Sequence, residues 1–491
     1  MRRGNDETAN ARRPSRRRSR RRARLRPAAT RFRNAFLISL AVAPALVAVQ
    51  AHATGTYDPA TDPYSMASIT AQTGASSWWA SGYTGAGIGV ALIDTGVAPV
   101  EGLSRVGKVV YGPDLSLESQ APNLRNLDTN GHGTFMAGAI AGRDSALAAP
   151  YASAAASQYR GMAPDARIVS LKVATADGGV DVTQVIAAIN WVVDHKNDNG
   201  LTIRVLNLSY GTNSLQSYGI DPLSFAVERA WKSGIVVVAA AGNSGYQRGK
   251  GAPGMADPAY NPFVIGVGGY DSMGTSLPND DTMGTYSASS AGCGASCKNP
   301  DFVAMGSHVQ GLRVPNSFID ATHNEGRLGD RYFRGSGTSE AAAMVSGAVA
   351  LVLQKYPTLT PDQVKRFITD NAKKVPGADS QAQGAGELNL TALATKTPIS
   401  FVQRFTNGNG SGSVEASRGA DHLTRDGVVL SGEKDIFGRP FASGTAGSTW
   451  SGGLWNGSTW SGSTWSGSTW SGSTWSGSTW SGSTWSNGDW A

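Results

Sequence analysis

Gly89-Val90-Ala91-Leu92-Ile93-Asp94-Thr95-Gly96 is an apolar run that stops on a carboxylate and a turn. A short unbroken apolar run bounded by turn residues reads as a strand buried on both faces, the kind that lies in a parallel sheet between helices. Working outward from this strand (88–93), the runs 168–173, 205–208, 235–239 and 263–267 repeat the pattern. Between the first two of these later strands, Val182, Val185, Ile186, Ile189, Val192 and Val193 fall at helical spacing behind Asp181, with Gln184 placed to complete a capping box. Thr360-Pro361-Asp362-Gln363 opens another helix with the same device and a proline in its first turn, shortly after an apolar helix expected over 341–356. From Gly85 to about Ala394, then, strands alternate with helices, which predicts an α/β fold with a mostly parallel sheet.

Three segments of this region each offer one member of a nucleophilic constellation. Asp94 ends the first strand, where a side chain can reach the crevice at the carboxyl edge of the sheet. His132 stands in Asn130-Gly131-His132-Gly133-Thr134, and the flanking glycines leave room around the ring ahead of an Ala/Gly-rich helix. Ser339 follows Gly335-Ser336-Gly337-Thr338 at the start of a buried helix. Taken singly, Asp94 is a turn residue, a lone histidine is structural and a serine at a helix start is a cap. Together they supply what acyl transfer needs. A serine hydroxyl is a weak nucleophile near neutral pH, a neutral imidazole can take its proton, and a carboxylate can hold the imidazole in the required tautomer. Asn243, closing Ala239-Ala240-Ala241-Gly242-Asn243 at a strand end, and the Ser339 backbone N–H are the expected donors to the oxyanion.

The order Asp, His, Ser, with the local sequences Asp94-Thr95-Gly96, Gly131-His132-Gly133-Thr134 and Gly337-Thr338-Ser339, closely resembles the subtilisin-like serine peptidases, or subtilases, over roughly residues 75–394. The resemblance implies a three-layer α/β fold whose central sheet has about seven parallel strands, extracellular cleavage of polypeptides, and Asn243 as the oxyanion residue. It also implies that Ser209, Tyr210 and Gly211 with Ala240, Ala241 and Gly242 line an open apolar pocket for the side chain before the cleaved bond. Asp177, Gly178 and Gly179 resemble the edge on which substrate pairs as an added strand. No cofactor is expected in the chemistry. Structural calcium is common in the family but no site is identifiable here, Asn279-Asp280-Asp281 being the one candidate loop. Two departures stand out: Glu340, where the family usually has Met, and Phe135, where a second His is frequent.

The rest of the chain sets context. Residues 1–33 carry 14 Arg against Asp6 and Glu7, which leaves 29 basic and 34 acidic side chains downstream, a net charge of −5. An apolar run over 35–49 ending in Ala51-His52-Ala53 follows, the layout of an export signal and too short for a stable membrane span. The expectation is a secreted or envelope-associated monomer that acts on polypeptides and not on nucleic acid. Cys293 and Cys297 are the only cysteines and suggest a local disulfide. No propeptide of the family's usual length fits between Ala53 and Trp78. From residue 447, Trp recurs every fifth position to Trp490 in a Gly/Ser/Thr background. That composition reads as a spacer, or as a stacking surface for envelope glycans. The expected division is a signal (1–53), an extension (54–77), a peptidase domain (78–394), a linker (395–446) and the repeat tail (447–491). The alternative to an enzyme is an inactive envelope-binding protein that uses the tail.

Overall fold

Every residue of β1 (Gly89–Asp94) is buried, as a strand covered on both faces must be. The computed structural model describes residues 57–245, 254–289, 298–425 and 428–441, with the backbone alone of three dipeptides farther on (454–455, 460–461 and 475–476). Around β1 lie β2 (Val109–Asp114), β3 (Arg167–Lys172), β4 (Ile203–Leu208), β5 (Val236–Ala240), β6 (Ile265–Asp271), the dipeptide β7 (Thr282–Met283) and β8 (Phe302–Met305). Seven of them run parallel in the order β2-β3-β1-β4-β5-β6-β8, and β7 adds antiparallel to the end of β6. The chain therefore enters the sheet at its middle, steps outward to β2 and β3, and returns past β1 to β4. This order reversal opens a crevice above the carboxyl end of β1, where Asp94 stands.

Helices cover both faces. α3 (His132–Ala141) and α7 (Thr338–Lys355) pack on each other, and α7 runs under β4, β5 and β6. α4 (Val182–His195) and α5 (Pro222–Lys232) form the other pair. α7 is buried without a break from Thr338 to Leu353, so its sequence is apolar all round rather than striped. α4 begins with the expected capping box of Asp181 and Gln184, and α8 (Pro361–Asp370) with that of Thr360 and Gln363.

The domain limits expected at 78 and 394 do not separate independent pieces. Ahead of β1, α1 (Met66–Gln72) and α2 (Ala75–Ala80) are tied to distant parts of the body. Met66 N–H donates to Gln310 Oε1 (2.8 Å), and the Trp78 indole donates to the Leu390 carbonyl (2.8 Å). The described part of the expected linker is likewise packed. Gly408 N–H donates to Glu228 on α5, and a short helix over Val414–Arg418 buries Arg418 completely. A segment with no hydrophobic periodicity is held here by ion pairing, which a composition-based reading does not register.

Candidate active site

Asp94 closes β1 and His132 opens α3, and each is only 1% exposed. His132 Nδ1 lies 2.8 Å from Asp94 Oδ1, which also accepts the Thr95 N–H at 2.8 Å. An acceptor at Nδ1 places the ring proton there and makes Nε2 the basic nitrogen. The glycines beside His132 serve backbone approach rather than room for the ring. A Cβ on Gly133 would lie 2.1 Å from the Gly96 carbonyl, and Gly131 holds φ +110° at the turn into α3.

Burial alone would lower the imidazole pKa, but the carboxylates of Asp94, Glu340 and Asp128 outweigh it and hold it above its ordinary value. Asp128 also organises the loop that joins the two strand ends. Its Oδ1 accepts Thr95 Oγ1, Asn130 N–H and Gly131 N–H, and its Oδ2 accepts the N–H and hydroxyl of Thr134. Beneath it, fully buried Lys172 donates to the Thr95 and Leu127 carbonyls and pairs with Glu118 at 2.8 Å. Sequence reading missed Asp128, Lys172 and Glu118. The available signal was Asp128-Thr129-Asn130-Gly131, a carboxylate four residues ahead of the histidine at a helix start.

Ser339 is the second residue of α7, fully buried, on the helix that packs against α3. Ser209 Oγ donates to the Ser339 carbonyl (3.2 Å), which fixes the end of β4 beside it. Asn243 sits where the end of β5 meets this helix. Its side-chain oxygen accepts both the N–H and the hydroxyl of Thr338 at 2.9 Å. A backbone N–H can bond only the oxygen of that amide, so the orientation is settled, and Nδ2 is left buried with no acceptor among the described residues. A buried donor held in place without a partner is a prepared site for an incoming oxygen.

The remaining candidates differ in their burial and hydrogen bonding. Asp177 Oδ1 accepts Thr175 Oγ1 (2.6 Å) and Gly179 N–H (3.2 Å), which shapes a tight turn after β3. Ala240, Ala241 and Gly242 are buried, and Gly242 N–H donates to Thr338 Oγ1 at 3.1 Å. Gly211 follows Tyr210 on the β4 side. Tyr210 does not line an open pocket: it is 5% exposed, and burial pushes its hydroxyl pKa well up, with Asp181 and Asp421 adding to the effect. Cys293 and Cys297 lie outside the described residues.

In the candidate calcium loop, Asp280 accepts Thr275 Oγ1 (2.9 Å). Burial and the neighbouring Glu387 push the Asp281 carboxyl up to about 7, which disfavours the charged form a hard cation needs. No group of three or more His, Cys, Asp or Glu side chains fit to hold a metal occurs among the described residues. Among the described residues this loop therefore offers no cluster of carboxylates for a hard cation.

A profile of the subtilase family matches residues 85–386. Serine protease AprX of Bacillus subtilis (strain 168) is 35% identical over 309 residues, covering 62% of this chain and 66% of that one, just under two thirds of its length. Subtilisin DY of Bacillus licheniformis is 33% identical over 316 residues, 64% of this chain and 93% of that one. The crystal structure of fervidolysin from Fervidobacterium pennivorans, a keratinolytic enzyme related to subtilisin, shares the fold with a TM-score of 0.52 at 23% identity. That match covers 75% of this chain and 50% of fervidolysin.

Proposed function

The chain belongs to the subtilase family of serine endopeptidases, and from that premise we propose that it is a secreted endopeptidase in which Asp94, His132 and Ser339 form the triad. Ser339 Oγ attacks the scissile carbonyl while His132 Nε2 takes its proton. Asp94, bonded to Nδ1 at 2.8 Å, keeps the ring in that tautomer and stabilises the imidazolium. The oxyanion is received by Asn243 Nδ2 and by the Ser339 N–H at the start of α7, where the helix dipole adds to the attraction. The imidazolium then protonates the departing amine, and water, activated by the same imidazole, releases the acyl group.

The observation that carries this reading is the imidazole fixed on Asp94 in a wholly buried pair at the start of the helix packed against α7. Ser209 to Gly211 and Ala240 to Gly242 serve as walls beside the nucleophile, and Asp177 to Gly179 as the pairing edge. Export rests on the arginine-rich start followed by the apolar run 35–49 and the small-residue site at Ala51 and Ala53. No helix among the described residues is long and apolar enough to cross a membrane.

In the test, Ser339→Ala lowers peptide cleavage by on the order of 10⁴-fold or more, and a fluorophosphonate labels the wild type at Ser339 only. A Ser339→Ala protein that still cleaves at the wild-type rate would overturn the assignment.

A further inference from the structure

The crevice has a far end that the family motifs do not describe. Residues 177–179 follow β3 and residues 209–211 follow β4, the two strands on either side of β1. Strands two places apart in a sheet are separated by ~9.6 Å, the room one added strand takes when it pairs with both neighbours. Going outward from Ser339, both edges meet the same piece of chain. On one side Thr212 Oγ1 donates to the Ser417 carbonyl (2.6 Å), and Asn213 Oδ1 accepts the Ala420 N–H (2.7 Å). On the other, Arg418 Nε donates to Asp181 Oδ1 (2.6 Å), and Leu423, fully buried, lies against Gly179, where a Cβ would come within 3.4 Å of its Cδ2. Residues 417–423 therefore bridge the two edges.

The bridge is a built part of the molecule. Arg418 is fully buried, and its remaining donors go to Glu415 (3.0 Å) and to the carbonyls of Gly432 (2.8 Å) and Lys434 (2.5 Å). Asp181, its partner, also caps α4. Ser417 Oγ donates to buried Asp221, the residue that caps α5. The segment is thus anchored to the first residues of the two helices that support the edges, and Arg418 and Asp421 lie close enough to bias the Tyr210 hydroxyl electrostatically.

We propose that residues 417–423 are the end wall of the peptide groove, so that the enzyme draws binding energy from only about three residues upstream of the cleaved bond. This rests on the assignment of Ser339 and of the two edges made above. Thr212 is three residues beyond Ser209, which touches Ser339, and an extended chain rises ~3.3 Å per residue, so a substrate strand reaches the wall after ~10 Å. Peptides with three residues on the acyl side fill the groove, and longer ones must turn away from it.

The test uses the full chain and a series of fluorogenic peptides with one to six residues ahead of the scissile bond. In the wild type kcat/KM climbs to the third residue and changes less than about twofold beyond it. In Leu423→Ala the fourth and fifth residues add about fivefold or more, an ordinary subsite contribution. Arg418→Ala gives the same result where it folds, as judged by a cooperative melt. A wild type that gains tenfold or more through the fourth and fifth residues overturns the proposal, as does a folded Leu423→Ala with an unmoved plateau. If neither variant folds, the wild-type series alone decides between these outcomes. Failure of the fluorophosphonate to label Ser339 would instead count against the nucleophile, leaving the two failures distinguishable.

Discussion

Glu340 follows Ser339 directly and is wholly buried, and neither carboxyl oxygen finds a hydrogen-bond partner on another of the described residues. Burial pushes its pKa up to about 7. The His132 imidazole and its own backbone amide pull the other way, and Asp94 adds to the rise. Tyr286 also feels its charge. The folded protein keeps this proton to about pH 7, whereas the unfolded chain releases it near 4.5, so stability falls as pH rises between those values and then levels off. Glu340→Gln should therefore raise Tm at pH 8 but not at pH 4, with a gain on the order of 1–3 kcal/mol. Because the ionised carboxyl also favours the imidazolium, the acid limb of kcat/KM should move to lower pH in the same variant. Melting curves and pH-rate profiles that run parallel to wild type would refute both expectations.

Among the elements, α3 shows how closely the site is tied to backbone contact. With the Gly96 carbonyl 2.1 Å from where a Gly133 side chain would begin, Gly133→Ala must push α3 away from the Asp94 turn. The expected cost in kcat/KM is on the order of 10²-fold, because a small misplacement of the base is enough, and a lowered Tm should accompany it. Near-wild-type turnover would show that the two segments can separate without loss.

Much at this scale was legible in advance. β1 and β3 to β6 were visible as apolar runs, and α4 and α8 from their capping boxes, since these signals are local. β2 was not, because Val109-Val110-Tyr111-Gly112-Pro113-Asp114 carries a glycine and a proline, which only an edge strand tolerates, and β2 is the edge. The turns that bring Asp94 and His132 together were readable, while Asp128 was not, since a loop aspartate reveals its five donors only once the loop is folded.

Over the whole molecule, the peptidase body is closed by segments from both ends of the described chain. The Trp78 indole on Leu390 and the Arg418 pair with Asp181 join residues 312 and 237 positions apart. Such partners carry no periodicity, which is why 395–446 read as a linker. The side chains of the repeat tail lie outside the described residues. Deleting residues 447–491 should leave kcat/KM on a three-residue acyl-side peptide within about twofold of wild type, as expected for changes remote from the chemistry. A large loss of that activity would show that the tail belongs to the catalytic body.

The Arg418 pair also sets an order in time. Asp181 precedes its counter-ion by 237 residues, so the pair can form only after the whole region between them has been made and delivered. Until then the Asp181 carboxylate has only neutral donors such as the N–H and hydroxyl of Thr183, and the proposed groove has no end wall. Of the groups proposed to shape substrate choice, the last along the chain is the one proposed to finish the cleft, so on that proposal selectivity matures after the nucleophile does.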